Sequence, residues 1–260
     1  MPSQARDGDT RRLYLDLLKR CLTRLVFEEY KPVTDAPQPL FRRVERDPEL
    51  REQGLDRPAE AETMIGLKRL DNLQACIENV LENSIPGDLI ETGAWRGGAA
   101  IFMRAVLRAW ADRERSIWVA DSFEGLPKPS SERYPADEGD RHWTEDDLAV
   151  SLDVVKRNFE RYGLLDEQVR FLVGSFADTL PSAPIERLAV LRLDGDMYES
   201  TIVALRALYP KLSVGGYVIV DDYGAVSGCE QAVDDFWIEE GIDADMKPID
   251  WTGVYWQRLE

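Results

Sequence analysis

The sequence is short of positive charge, of histidine and of cysteine, and each shortage removes a class of function. Among 260 residues, 32 are Lys or Arg against 49 Asp or Glu, a formal net charge of −17. A protein that grips a polyanion displays a basic face, so no nucleic-acid partner is expected. The acidic surplus reads instead as solubility and tolerance of cations. Three cysteines, Cys21, Cys76 and Cys229, stand far apart with an odd one over. Neither a disulfide framework nor a metal-type spacing is present, which fits reduced thiols in a cytoplasmic protein. No apolar run approaches the roughly 20 residues that span a bilayer, so no membrane partner is expected. Met1 to Arg12 is too polar for a secretory leader. Internal repeats and low-complexity tracts are missing as well.

What remains is a normal globular composition, 44% apolar, on a chain long enough for one α/β domain with an appended segment. Leu13, Leu17, Leu18, Cys21, Leu22 and Leu25 recur at helical spacing behind a polar lead, Asp7 to Thr10, that offers caps. Tyr30 to Arg57 is polar and rich in Pro and Arg and reads as a loop lying over something. A second helix is expected from Ala61 to Asn83. Residues 1–84 then form a helical lid segment and 85–260 the main domain. From Gly87 onward strands alternate with helices. The expected strands are Asp88–Glu91, Ser116–Ala120, Val169–Val173, Leu188–Leu193 and Gly216–Val220, with closing strands near Met246–Ile249 and Gly253–Arg258. Helices are expected over Gly97–Ala111 and Asp147–Tyr162. That alternation predicts an α/β Rossmann-like fold, a mostly parallel seven-stranded sheet covered by helices on both faces.

Ligands of such sheets sit beyond the carboxyl ends of the strands, at the switch point of strand order. The first of those ends carries Glu91-Thr-Gly93-Ala-Trp95-Arg-Gly-Gly98. The G-x-G-x-x-G spacing of a dinucleotide site is absent, which speaks against a nicotinamide-dependent oxidoreductase on the same fold. Glu91, Gly93 and Trp95 suit S-adenosylmethionine, whose amino-acid end needs backbone partners and a carboxylate rather than a phosphate cradle. The next strand ends at Asp121, placed to accept from ribose hydroxyls, with Ser122 and Phe123 flanking the nucleoside; helix capping is the plainer role for Asp121. Gly174 and Ser175 follow the third strand, on the adenine side.

Acidic residues close the remaining two strands: Asp194-Gly-Asp196 and Asp221-Asp222. Adjacent strands lie about 4.8 Å apart, so these carboxylates converge and repel one another unless a cation sits between them. A ligand set of oxygen alone suits Mg²⁺, with Mn²⁺ as substitute. Asp194, Asp221 and Asp222 are the expected metal ligands, Asp194 also bordering the cofactor, and Asp196 the expected base. The roles of Asp194 and Asp196 are interchangeable at this level, and one of them capping the helix near Tyr198 stays open. His142, the one histidine, lies in the loop Lys128–Thr144. It is either a solvated loop residue or, with Trp143, a contact for substrate.

These segments together resemble the macrocin O-methyltransferase (TylF-type) family, as do Leu13–Lys19, Glu62–Gly66 and Arg69–Asn72 upstream. The resemblance covers about Leu13 to Glu260. It implies S-adenosylmethionine, a divalent cation, and methylation of a deoxysugar hydroxyl on an antibiotic-like glycoside, nearest to the noviose 4-O-methyltransferases of aminocoumarin pathways. It further implies that the first helix and Tyr30–Arg57 form a lid, with Thr63 and Met64 lining the cofactor pocket. Catechol-type methyltransferases often carry a basic group three positions past the Asp194 equivalent. Met197 stands here, which favours Asp196 as base. Three readings remain beside this one: a phenol or catechol acceptor, a cofactor-binding protein without catalysis, and a homodimer packed through the amino-terminal helix.

Overall fold

The computed structural model describes residues 2–28, 30–32, 40–43, 47–56 and 58–260. In chain order the elements are α1 (Pro2–Leu22), β1 (Tyr30–Pro32), β2 (Phe41–Arg43), α2 (Pro48–Gln53), α3 (Leu67–Glu82), β3 (Asp88–Thr92), α4 (Gly98–Ala109), β4 (Ile117–Asp121), α5 (Leu152–Arg161), β5 (Val169–Val173), α6 (Phe176–Thr179), β6 (Leu188–Leu193), α7 (Tyr198–Leu208), β7 (Leu212–Val220), α8 (Ser227–Glu240), β8 (Lys247–Pro248) and β9 (Val254–Gln257). β3 to β9 form one seven-stranded sheet in the order β5-β4-β3-β6-β7-β9-β8. Pairing is parallel from β5 through β7, and β9 runs antiparallel to both β7 and β8. Strand order reverses between β3 and β6, which puts the ligand crevice beyond their carboxyl ends.

Alternation along the strands builds two cores. Leu89, Val119, Val190 and Ile219 face one side with Leu15, Leu22, Leu70, Ile77, Ile101 and Phe102. Ile90, Ala120, Leu191, Val218 and Val220 face the other with Ile202, Leu205, Val233 and Phe236. The period of two in the strands is thus satisfied on both faces. α1 and α3 share their core with α4 and the sheet. Among the described residues no helix is long and apolar enough to cross a membrane.

Several boundaries differ from the expectation, each for a physical reason. α1 begins at Pro2, so the capping residues expected at Asp7 to Thr10 lie inside it. The segment read as a loop, Tyr30–Arg57, contains the antiparallel pair β1–β2 and the helix α2, which Asp47 caps by accepting the Glu49 amide at 2.9 Å; parts of it fall outside the described residues. The second helix starts at Leu67 rather than Ala61. Upstream, the Glu62 amide donates to the Leu22 carbonyl and the Glu62 carbonyl accepts from Gly98, so that backbone serves α1 and α4 instead of a helix of its own. α5 starts at Leu152 rather than Asp147, whose carbonyl accepts the Trp95 indole at 2.8 Å.

Candidate active site

A cavity of about 730 Å³ opens over the carboxyl ends of β3 to β7. Thr63, Met64, Glu91, Gly93, Trp95, Asp121, Ser122, Gly174, Ser175, Asp194, Asp196, Asp221 and Asp222 all line it. Phe123 does not. Its backbone takes a left-handed turn at φ 57°, and its ring is buried in the core, edge-on to Phe171. The expectation that it flanks the nucleoside is therefore corrected: the turn points the side chain under the sheet edge. Trp95 and Asp196 also hold φ values of 46° and 55°, a strain that non-glycine residues carry mostly at ligand sites.

Along the first loop, Gly93 lets two strand ends touch. A Cβ there would lie 1.7 Å from the Asp194 carbonyl oxygen, so no other residue fits. Asp121 staples this loop to the next by accepting the Ala94 amide on one oxygen and the Phe123 amide on the other, both at 2.7 Å. The Ser122 hydroxyl adds a longer contact of 3.5 Å to the oxygen that accepts from Phe123. Burial raises the Asp121 pKa, with those amides opposing. Ser175 caps α6 by accepting from Asp178, which leaves its backbone and that of Gly174 at the cavity wall.

The acidic floor contains two cations that the spacing argument omitted. Arg192, 1% exposed, is the last residue but one of β6, next to the carboxyl end of the strand. Its guanidinium donates to Glu91 and to Asp194, each at 2.7 Å, and to Asp221. Strand register explains this, because Glu91 and Arg192 are direct partners across β3 and β6. Arg69 of α3 donates to the other Asp221 oxygen and, at 2.7 Å, to Asp250. Both oxygens of Glu91 are engaged, the second by the Ala100 amide at 2.9 Å. Glu91 thus ties α4 to β6 beneath the cavity, and burial pushes its carboxyl up to about 8 against the pull of Arg192. The expected mutual repulsion is in part relieved by two cations of the protein itself, Arg69 and Arg192.

Asp222 is the exception. Its carboxylate accepts the Asp196 amide at 3.2 Å and, among the described residues, forms no ion pair. Burial, then Asp196 and Asp194, raise its pKa well above the ordinary range. Asp194 is pushed to about 6 by burial and Asp221, and Asp196 to about 7 by burial and Asp194, with His142 opposing. One oxygen each from Asp194, Asp221 and Asp222 can be chosen so that all lie within 4.8 Å of one another. Three hard oxygen donors, with negative charge in excess of the two guanidinium groups, form a set suited to a divalent cation of the Mg²⁺ type.

Sequence reasoning missed Arg69, Arg192 and Trp251. Arg192 had a signal, since it interrupts the apolar run Leu188-Ala-Val-Leu-Arg-Leu193 of a strand buried throughout. A charge there must find partners in the sheet. Trp251 lines the cavity from the β8–β9 turn, its indole donating to the Gln53 carbonyl at 3.0 Å. That link to α2 spans most of the chain and left no mark in any local motif. His142, read as either a solvated or a substrate-facing residue, also lines the cavity.

Comparison with known proteins identifies the family. The family model described as macrocin O-methyltransferase (TylF) matches residues 11–258. The chain is 55% identical over 251 residues to the 8-demethyl-8-(2,3-dimethoxy-alpha-L-rhamnosyl)-tetracenomycin-C 4'-O-methyltransferase of Streptomyces olivaceus, covering 96% of this chain and 94% of that one. It is 51% identical over 252 residues to the demethyldecarbamoylnovobiocin O-methyltransferase of Streptomyces niveus, covering 95% and 93%. The solved structure of the O-methyltransferase NovP superposes with a TM-score of 0.88 at 50% identity, over 96% of this chain and 100% of that one. The chain belongs to the macrocin O-methyltransferase (TylF) family.

Proposed function

We propose that this O-methyltransferase uses S-adenosylmethionine and Mg²⁺ to methylate a deoxysugar hydroxyl on a glycosylated natural product of the macrolide or aminocoumarin type. The observation that carries this reading is the convergence of Asp194, Asp221 and Asp222 beside Asp196 on the floor of one large cavity. Relatives whose names specify glycoside acceptors support the sugar.

In this reading Asp121 holds the ribose, Gly93 and Trp95 border the amino-acid end, Gly174 and Ser175 border adenine, and Thr63 and Met64 close the pocket from the side of residues 1–84. Those residues act as a lid on the 85–260 domain; Gly54 at the cavity wall and the Gln53–Trp251 hydrogen bond support that role. Asp194, Asp221 and Asp222 would hold the divalent cation, which when bound supplies Lewis acidity that makes a sugar hydroxyl easier to deprotonate. Asp196 takes that proton, and its raised proton affinity makes it a stronger base than an ordinary carboxylate. The freed oxygen forms a bond to the methyl carbon as the carbon–sulfur bond breaks and its electron pair returns to sulfur. The products are the methyl ether and S-adenosylhomocysteine, with the proton on Asp196. Arg192 and Arg69 hold the Asp221 carboxylate in place from its two oxygens.

The test is methyl transfer from labelled S-adenosylmethionine to demethyldecarbamoylnovobiocin, to 8-demethyl-8-(2,3-dimethoxy-α-L-rhamnosyl)-tetracenomycin C and to a catechol. Each is assayed with Mg²⁺ and with EDTA. Transfer to a glycoside that stops in EDTA, and falls at least about 100-fold in Asp196→Asn, is expected. Undiminished transfer in EDTA would remove the metal from the scheme, and transfer to the catechol alone would remove the sugar.

A further inference from the structure

The segment between β4 and α5 is fastened to the acceptor side of the cavity at a buried point. Asp137, 2% exposed, accepts the Tyr198 amide at 2.7 Å and the Glu199 amide at 3.0 Å. It thereby caps α7, the helix that opens just after Asp196. The start of α8 closes on the same carboxylate, since a Cβ on Gly228 would stand 3.0 Å from an Asp137 oxygen. From this anchor the chain turns back. The Asp140 amide donates to the Asp137 carbonyl at 3.1 Å, and the Asp140 carboxylate accepts the His142 amide at 2.9 Å. Its other oxygen lies 2.8 Å from His142 Nδ1. The imidazole is thus held at both its backbone and its ring, on the wall of the cavity.

This bracing has a consequence for ligands. With Nδ1 engaged by Asp140, Nε2 is the ring nitrogen left for another partner. The imidazole and Asp196 line the same cavity, so a molecule presenting its hydroxyl to Asp196 shares that space with the ring. A pyranose carries oxygens on adjacent carbons and offers two such points, whereas a simple phenol offers one. Two fixed points decide which hydroxyl reacts, because near-attack geometry tolerates little misplacement.

We propose that His142, braced by Asp140, is a second contact for the acceptor sugar, its Nε2 hydrogen-bonding the oxygen next to the reacting hydroxyl and setting that hydroxyl's register against Asp196. This rests on the reading of Asp196 as base and of a glycoside as acceptor.

Kinetics with whichever of the two glycosides above the wild type methylates, together with calorimetric affinity for S-adenosylmethionine, test it in His142→Ala, His142→Gln and Asp140→Asn. His142→Ala is expected to lower kcat/KM for the glycoside roughly 10- to 100-fold, the worth of one hydrogen bond to a charged group, with cofactor affinity unchanged. A regioisomeric methyl ether, seen by NMR of the product, should also appear. His142→Gln, whose amide reaches the Nε2 position, should recover part of the rate and the single product, and Asp140→Asn should fall between wild type and His142→Ala. Unchanged kinetics and product in His142→Ala would overturn the inference while leaving the function standing. So would a loss that the cofactor affinity shares and Gln does not restore, since that is what a purely structural loop staple predicts. Failure of the wild type to methylate either glycoside would overturn the sugar reading beneath it.

Discussion

Among the described residues Asp222 forms no ion pair, whereas Asp221 next to it binds two guanidinium groups. A carboxyl whose proton affinity is higher folded than unfolded makes the folded state take up protons. Stability then falls as pH rises from the ordinary Asp value of 3.8 towards the raised one. Asp222→Asn, which removes the charge and keeps the shape, is therefore expected to melt above the wild type at pH 7 in EDTA while losing methyl transfer. The gap should close as pH is lowered below the ordinary Asp value, to about 3, where both states of the wild-type residue are protonated. A lower melting temperature for Asp222→Asn at pH 7 would show instead that the ionised carboxylate stabilises the fold. At this scale much of the site was legible. Acids that directly follow predicted strands must gather at one sheet edge, and Asp194, Asp196, Asp221 and Asp222 do. Phe123 was not legible, because a left-handed φ reverses a side chain and nothing in Asp121-Ser-Phe-Glu announces one.

Between elements, β6 joins its two neighbours through a side chain as well as through the sheet ladder. Arg192 reaches Glu91 on β3 and Asp221 just past β7. Replacing it with a neutral residue of similar length, as in Arg192→Met, leaves Glu91 and Asp194 without a cation, while Asp221 keeps Arg69. Stability should drop by about 3–5 kcal/mol, the usual result of removing one partner of a buried pair. Urea unfolding measures this, and adding Glu91→Gln to the variant should restore part of the loss, because a carboxyl stranded by the loss of Arg192 is replaced by a neutral amide. A loss below about 1 kcal/mol, the size of an exposed pair, would mean that water reaches these groups. In the seven-stranded sheet, every strand but β7 is legible in the sequence to within one residue at each end, since apolar runs between turns fix them. Elements went astray where a backbone group is claimed from far away: Glu62 by α1 and α4, Asp147 by the Trp95 indole. β7 was cut short at Gly216, although the strand runs back to Leu212 through a register shift against β6. Long-range claims of this kind have no local pattern to betray them.

For the molecule as a whole, the net charge of −17 means that any salt relieves self-repulsion, so a rise in melting temperature with Mg²⁺ would by itself say little about a site. The two effects separate by their form. Screening depends on ionic strength and is matched by NaCl, whereas occupancy of one site saturates. At a concentration 100 times its dissociation constant, a bound ion adds about 2.7 kcal/mol, or roughly 5 °C for a chain of this size. The expected result is a melting temperature that climbs with MgCl₂ above an NaCl series of equal ionic strength and then levels off. In Asp222→Asn the two series should coincide, since one of three oxygen donors is gone and a second, Asp221, is already engaged by Arg69 and Arg192. An excess that survives in Asp222→Asn would place the ion elsewhere on the acidic surface. Superposition of the two series in the wild type would leave Asp196, Arg69 and Arg192 to handle the sugar hydroxyl by themselves.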